Sequence, residues 1–331
     1  MAHPRSAVAA IVIALLLLVS AALLVAQQLS NSVTRDFVFD IPKGENLVSV
    51  TDRLYEQGDL PVQPLLFKYL GLLTERDGPI LAGQYQVEAG MTAAALLNLF
   101  RSGDVIQYRV TFPEGWTLGN WRTALANAPG LAGTIADMDE RQIAEALGVS
   151  GPVEGWLFPD TYQYVQGDTD MDLLKRALQR MRSVIEMEWS ARNESVELTS
   201  PYEALILASI IEKETGLAED RAKIASVFHN RLAIGMRLQS DPTVIFGMGS
   251  NFDGDLKRRH LKTDTPYNSY TRYGLPPGPI CSPGRAAIKA ALAGSSHPYL
   301  YFVAMGDGRS YFSEDLEEHN RAVDRYQRQA H

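Results

Sequence analysis

The chain of 331 residues has a single cysteine, Cys281, so it can form no internal disulfide and no multi-cysteine zinc or iron–sulfur site. Its fold must rest on packing. It also lacks a basic excess. Thirty-one Lys plus Arg stand against 39 Asp plus Glu, a net charge of -8, which offers no positive field to a phosphate backbone and argues against a nucleic-acid partner. The six histidines (His3, His229, His260, His297, His319 and His331) contain no i, i+4 pair and no HExxH, so a zinc hydrolase has no ligand set. No GxSxG elbow, phosphate-binding loop or other cofactor motif occurs, so neither a metal nor a cofactor is expected. Cys281, alone in Ile-Cys-Ser-Pro-Gly, fits a structural role better than a nucleophilic one.

What is present begins with a long apolar run. Nineteen of the 20 residues from Ala7 to Ala26 are apolar, and no charge occurs between Arg5 and Arg35. As a helix rising about 1.5 Å per residue this run spans roughly 30 Å, the thickness of a bilayer's hydrocarbon core. It exceeds the usual apolar region of a cleavable signal peptide, and Leu24-Val25-Ala26 is a poor cleavage site, so an uncleaved anchor is expected. Residues 1–6 then form a cytoplasmic tail, 7–26 a transmembrane helix and 27–35 a polar tether. In a bacterium the rest of the chain would be exported to the side where the peptidoglycan wall lies.

Beyond the tether the pattern is α+β, and the length predicts about two domains. Phe37–Ile41 alternates as a strand, Pro42-Lys43-Gly44 turns, and Leu47, Val50, Leu54 and Tyr55 recur at helical spacing before Gly58. The same order returns in Tyr85–Val87, Glu88-Ala89-Gly90 and a helix from Met91-Thr92 closed by Gly103, and a third time from Val110 to Leu118. These units resemble the LysM fold, a small βααβ glycan-binding module, here placed at 36–108. Leu66, Phe67, Tyr69 and Leu70 are an apolar stretch with no evident partner. Residues 109–200 mix helix and loop, and the aromatic Glu154–Tyr162 stretch suits either cleft wall or core. Helices are expected over 172–190, 201–216 and 218–232, and Ser282-Pro283 reads as a helix start that Gly294 ends. Gly306-Asp307-Gly308 joins a hairpin and a polar helix follows Glu314.

The helix from Glu203 to Thr215 carries the chemistry. At about 100° per residue from Leu205, the side chains Ile206, Leu207, Ile210 and Ile211 form a stripe centred near 170°; Glu214 falls near 180° and Glu212 near 340°. A carboxyl in line with four aliphatic side chains is poorly hydrated, which raises its pKa toward the range of a general acid. The alternative is that Glu214, at the helix end, turns into water. His229, beside Phe228, reads as a packing residue.

Several blocks carry a resemblance: Ala208-Ser-Ile-Ile-Glu-Lys-Glu-Thr215, Ala225–Leu232, Gly235–Val244, Pro266–Tyr270, Gly274–Ile280 and Glu154–Tyr162. They are similar to the signature blocks of the YceG-like endolytic murein transglycosylases, and the order of membrane helix, LysM-like region and catalytic part is shared along essentially the whole chain. The resemblance implies a lysozyme-related mixed catalytic domain over 109–331, with Glu214 as the catalytic acid. It implies cleavage between N-acetylmuramic acid and N-acetylglucosamine of nascent strands to leave 1,6-anhydro ends, with one carboxyl serving as acid and then base. Gln239, Asp241, Thr243, Asn268, Tyr270 and Glu212 are the polar groups placed along the sugar cleft. The implied partners are glycan strands, the membrane through the N-terminal helix, and candidate peptidoglycan synthases, with the catalytic domain on the periplasmic side of the inner membrane. Ser282 and His229 depart mildly from the family pattern. A tethered wall-binding protein without activity, or a muramidase that uses water, are the competing readings.

Overall fold

A computed structural model describes residues 4–74, 78–194 and 196–328. The first element, α1 (Pro4–Ser30), contains one 20-residue stretch, Ile11–Ser30, long and apolar enough to cross a membrane and unburied by any other described residue. An apolar helix with no protein around it needs lipid as its solvent. Of the expected cytoplasmic tail, residues 1–3 lie outside the described residues, and helix begins at Pro4. The tether is shorter than expected. Gln27 to Ser30 contain no helix breaker and continue α1, Ser32 forms a bridge with Thr92, and Val33 is buried.

The chain is α+β and divides into two compact units. The first takes in the chain up to Tyr108 with Gly130–Ala132 and Gln163–Asp168. Its elements are β1 (Phe37–Ile41), α2 (Leu47–Glu56), α3 (Pro64–Leu73), β2 (Gly83–Val87) and α4 (Ala93–Ser102). β1 and β2 pair antiparallel from Phe37–Val87 to Ile41–Gly83, so the order strand-helix-helix-strand closes on itself. The strands' inward residues Phe39, Ile41, Tyr85 and Val87 meet Val50, Leu54, Phe67, Leu96 and Phe100 in one core. Asn46 and Thr92 cap α2 and α4, and Gly103 ends α4 in the left-handed conformation that glycine adopts without strain. Helix α3 replaces the apolar stretch left without a partner. Its Phe67 is fully buried in this core, where Pro64 starts the helix at its first position.

The second unit holds most of the rest. In sequence it begins with most of β3 (Tyr108–Thr111), then α5 (Leu118–Ala126), α6 (Glu140–Leu147) and the first half of β4 (Thr161–Tyr164). There follow α7 (Asp170–Ser190), α8 (Pro201–Glu214), α9 (Ala218–Ala233), α10 (Asp241–Met248), α11 (Arg258–Lys262), α12 (Arg285–Ala293), the hairpin β5 (Tyr301–Ala304) and β6 (Ser310–Ser313), and α13 (Leu316–Val323). Every residue of α8 from Ala204 to Ile211 is buried, which makes it the central helix, packed by α7, α9, α10 and α12. Helices apolar all round belong in cores. Its one buried hydroxyl, Ser209, donates to the Ile206 carbonyl at 2.7 Å and accepts the Ile280 amide at 3.0 Å. The Glu154–Tyr162 stretch is mainly core: Leu157, Phe158 and Tyr162 are buried.

One local expectation is corrected. Helix α12 starts at Arg285 with Gly284 as its N-cap, because Ser282 is held in backbone pairing with Trp116 and Gly115 and cannot cap. Asp241-Pro242 opens α10, with Pro242 in the first helical turn.

Candidate active site

Helix α8 stops at Glu214, where Thr215 swings to an extended conformation (φ -151°, ψ 136°). The core stripe of Ile206, Leu207, Ile210 and Ile211 is fully or almost fully buried, and Glu214, one turn further on, is half-buried. It does not turn into water. Burial pushes its carboxyl from the ordinary 4.5 up to about 7; a hydrogen bond from Ser240 works against that rise and the neighbouring Asp241 adds to it. At physiological pH a substantial fraction therefore carries a proton, which a general acid requires.

The residues facing Glu214 arrive on the segment between α9 and α10. Gln239, with φ 51°, is the one non-glycine residue with positive φ among the described residues, and its amide donates to the Ser269 carbonyl at 3.1 Å. This left-handed turn, uncommon for a side-chain-bearing residue, sends Ser240 inward, where its hydroxyl donates to Glu214 Oε1 at 2.5 Å. Ser240 is in turn fixed: its amide donates to Ser269 Oγ at 2.9 Å and its carbonyl accepts from Thr243 Oγ1 at 2.6 Å. Glu214 Oε2 has no protein partner among the described residues. One oxygen is held by Ser240 and the other is not.

Around this carboxyl lies a cleft of about 560 Å³, lined by Glu214, Arg231, Gln239, Asp241, Tyr270, Tyr301 and His319 among others. The Tyr270 hydroxyl donates to Asp241 Oδ1 at 2.6 Å, and burial together with that carboxylate pushes the phenol well above its usual value. Arg231 is buried; its Nε donates to the Leu300 carbonyl at 2.7 Å, its Nη1 to Leu238 at 2.6 Å, and its guanidinium lies over the Tyr301 ring. Tyr301 stacks on His319 with ring centroids 5.1 Å apart. The cleft thus joins an acid raised to about 7, a cation, a second carboxylate and a stacked aromatic pair, a set suited to a polar, ring-shaped substrate.

Of the residues placed on the cleft from sequence, the structure brings together Glu214, Gln239, Asp241 and Tyr270. The other three lie elsewhere. Thr243 is fully buried, bonded to Ser240 and Ser269, so it supports the cleft floor from behind. Asn268 is also fully buried; its amide donates to the carbonyls of His260, Leu261 and Thr263 and its side-chain oxygen accepts the Tyr270 amide. Every polar group it has is spent on the loop. Glu212, on the opposite face of α8, accepts the Gly284 amide at 2.9 Å, away from the cleft lining. Ser240, Arg231, Tyr301 and His319 were not singled out from sequence. Ser240 sits between two residues that were, and Arg231 lies in the Ala225–Leu232 block; Tyr301 and His319 carry no local signal.

Two other cavities are larger, about 740 and 730 Å³. The second borders Glu154, which burial also pushes to about 7, yet both its oxygens accept the Leu118 amide, at 3.3 and 3.0 Å, at the start of α5. That carboxyl is a buried helix cap. Cys281 is fully buried with its Sγ against the Ser209 carbonyl, and burial raises the thiol, so it does not serve as a nucleophile. His229 packs as expected, bonded through Nε2 to the Ala291 carbonyl at 2.8 Å. Among the described residues no group of three His, Cys, Asp or Glu side chains could hold a metal ion.

Comparison with known proteins bears on this site. The chain is 32% identical over 306 residues to the endolytic murein transglycosylase of Bacillus subtilis (strain 168), covering 87% of this chain and 84% of that protein. It is 29% identical over 320 residues to the endolytic murein transglycosylase of Streptococcus pneumoniae (strain R6), covering 86% of this chain and 57% of that protein. A crystal structure of a yceG-like protein from Listeria monocytogenes superposes with a TM-score of 0.56 at 29% identity, over 87% of this chain and 99% of that one. A family model described as the YceG-like family matches residues 39–325, and the chain belongs to that family.

Proposed function

We propose that the protein is a membrane-anchored lytic transglycosylase that cuts the glycosidic bond between N-acetylmuramic acid and N-acetylglucosamine in nascent peptidoglycan and leaves 1,6-anhydro ends. The observation that carries the reading is Glu214: a half-buried carboxyl with a value near 7, one oxygen held by Ser240 and the other open to the cleft, in a chain similar to proteins named endolytic murein transglycosylase. Protonated Glu214 gives its proton to the glycosidic oxygen, and the bond from the muramic C1 to that oxygen breaks. The muramic C6 hydroxyl then bonds to C1 and its proton passes to the Glu214 carboxylate, which restores the acid. A single carboxyl suffices because no water is activated, unlike the two-carboxylate glycosidases. Arg231 favours the carboxylate between the two transfers, and Gln239, Asp241 and Tyr270 line the path of the sugars.

Residues 109–331 are read as a lysozyme-related catalytic domain and 36–108 as a LysM-like glycan-positioning module; the strand-helix-helix-strand order and antiparallel pairing of the latter support it. The N-terminal helix supports an anchor in the inner membrane with the catalytic domain in the periplasm, where synthases would supply strands. Digestion of wall sacculi in heavy-oxygen water tests the chemistry. Transglycosylation incorporates no heavy oxygen at the new muramic ends, whereas a muramidase labels each one, and an inert anchor makes none.

A further inference from the structure

Helix α3, Pro-Leu-Leu-Phe-Lys-Tyr-Leu-Gly-Leu-Leu, is apolar on two sides while the core takes only one. Phe67 and Gly71 are buried and Leu66 and Leu70 pack beside them. On the other side Leu65 is 80% exposed, Tyr69 58%, Leu72 64% and Leu73 65%. At about 100° per residue these four lie within an arc of roughly 100°, a continuous stripe without a charge. Lys68, the one charged residue of the helix, is paired with Asp52 at 2.6 Å. A stripe of this kind on a surface calls for an apolar partner.

The connection to α1 says which partner is at hand. α1 ends at Ser30, and Ser32 is already bridged to Thr92. The Val33 amide donates to the Met91 carbonyl at 2.8 Å and Arg35 pairs with the buried Asp59 at 2.9 Å, so only Asn31, whose amide donates to the Gln28 carbonyl of α1 at 3.1 Å, lies between the helix and the unit. At about 3.3 Å per residue, less than ~10 Å separates the end of α1 from this unit. A unit of roughly 70 residues has a radius of gyration near 11 Å, so once α1 crosses a bilayer the whole unit stays within about 40 Å of the lipid surface. The translational cost of association is already met by the linkage, and a Leu-rich stripe carrying a Tyr has the composition of an interfacial helix face.

We propose that the Leu65, Tyr69, Leu72 and Leu73 face of α3 docks into the lipid surface beside α1, so that α3 lies in the plane of the interface. The inference rests on α1 crossing the membrane. The test uses the full chain in vesicles of phosphatidylethanolamine and phosphatidylglycerol. Native Cys281 is fully buried, so a thiol-reactive, polarity-sensitive fluorophore goes to an introduced cysteine: Leu72→Cys, Leu65→Cys, or the exposed α7 control Ser183→Cys. Docking predicts blue-shifted emission at 65 and 72, quenched about twofold or more by lipids brominated roughly 5–10 Å below the headgroups, with position 183 unaffected. Emission at 65 and 72 equal to that at 183, and unquenched, overturns the proposal; a face reserved for a protein partner would give that result. Alkaline washing of the same vesicles separates the two ideas, since release of the protein refutes the crossing by α1, and retention with unquenched probes refutes the docking alone.

Discussion

Burial at the end of the aliphatic stripe raises Glu214 to about 7, and that makes its chemistry testable one side chain at a time. Glu214→Gln preserves size and hydrogen bonding but cannot cycle a proton; activity on sacculi should fall by about 10² to 10⁴, while Glu212→Gln, off the cleft, should cost far less. In wild type the alkaline limb of the rate profile should lie near pH 7, since the proton must be in place before the glycosidic bond breaks. Stability follows the same group. Its folded value is raised above the unfolded one, so its contribution is complete below about 4.5 and lost as pH climbs through about 7. Glu214→Gln should therefore raise Tm above pH 7 and leave it nearly unchanged at about pH 4, as read by thermal unfolding at the two ends. Ser240→Ala removes a bond to the charged form that holds the value down; the alkaline limb should move up, and kcat should fall about tenfold or more, the scale of a hydrogen bond to a charged group, with Ser240→Thr restoring part of both. Glu214 could be found in the sequence because one helical face carries both it and its burial. Ser240 and Arg231 could not, since their roles come from a left-handed turn at Gln239 and from carbonyls contributed by Leu238 and Leu300.

At the level of elements, the same logic makes α8 the least forgiving part of the fold. Ile210 is fully buried with α8 wrapped on several sides, so Ile210→Ala should destabilise by about 2–5 kcal/mol, measured by denaturant unfolding, and should lower activity in proportion to the folded fraction. The elements that follow a single periodicity were legible: β1, α2, β2, α4, α7, α8, α9 and the β5–β6 hairpin lie where alternation, caps and glycines place them. Each miss has its own cause. α3 carries large apolar side chains on its exposed side as well as its buried one; the end of α1 has no breaker; and Ser282, with a good capping sequence, is used in backbone pairing with Gly115 and Trp116 instead. Thr243 and Asn268 looked like sugar ligands because they are polar and near the site in sequence. Their hydrogen bonds are all turned inward, which only tertiary contacts reveal.

For the whole molecule, α1 presents a 20-residue apolar stretch that no other described residue covers, and the rest of the first unit is joined to it almost directly. The full-length protein should remain with membranes through high-salt and alkaline washing, and its recovery as a soluble form beginning near Gln27 would contradict an uncleaved anchor. The most direct measurement of the central claim is mass analysis of the muramic ends released from sacculi by wild type and by Glu214→Gln at equal folded concentration. The account predicts ends lighter by one water than hydrolytic ends, formed by wild type and nearly absent with Glu214→Gln. Reducing ends from wild type, or anhydro ends formed equally by both proteins, would contradict it.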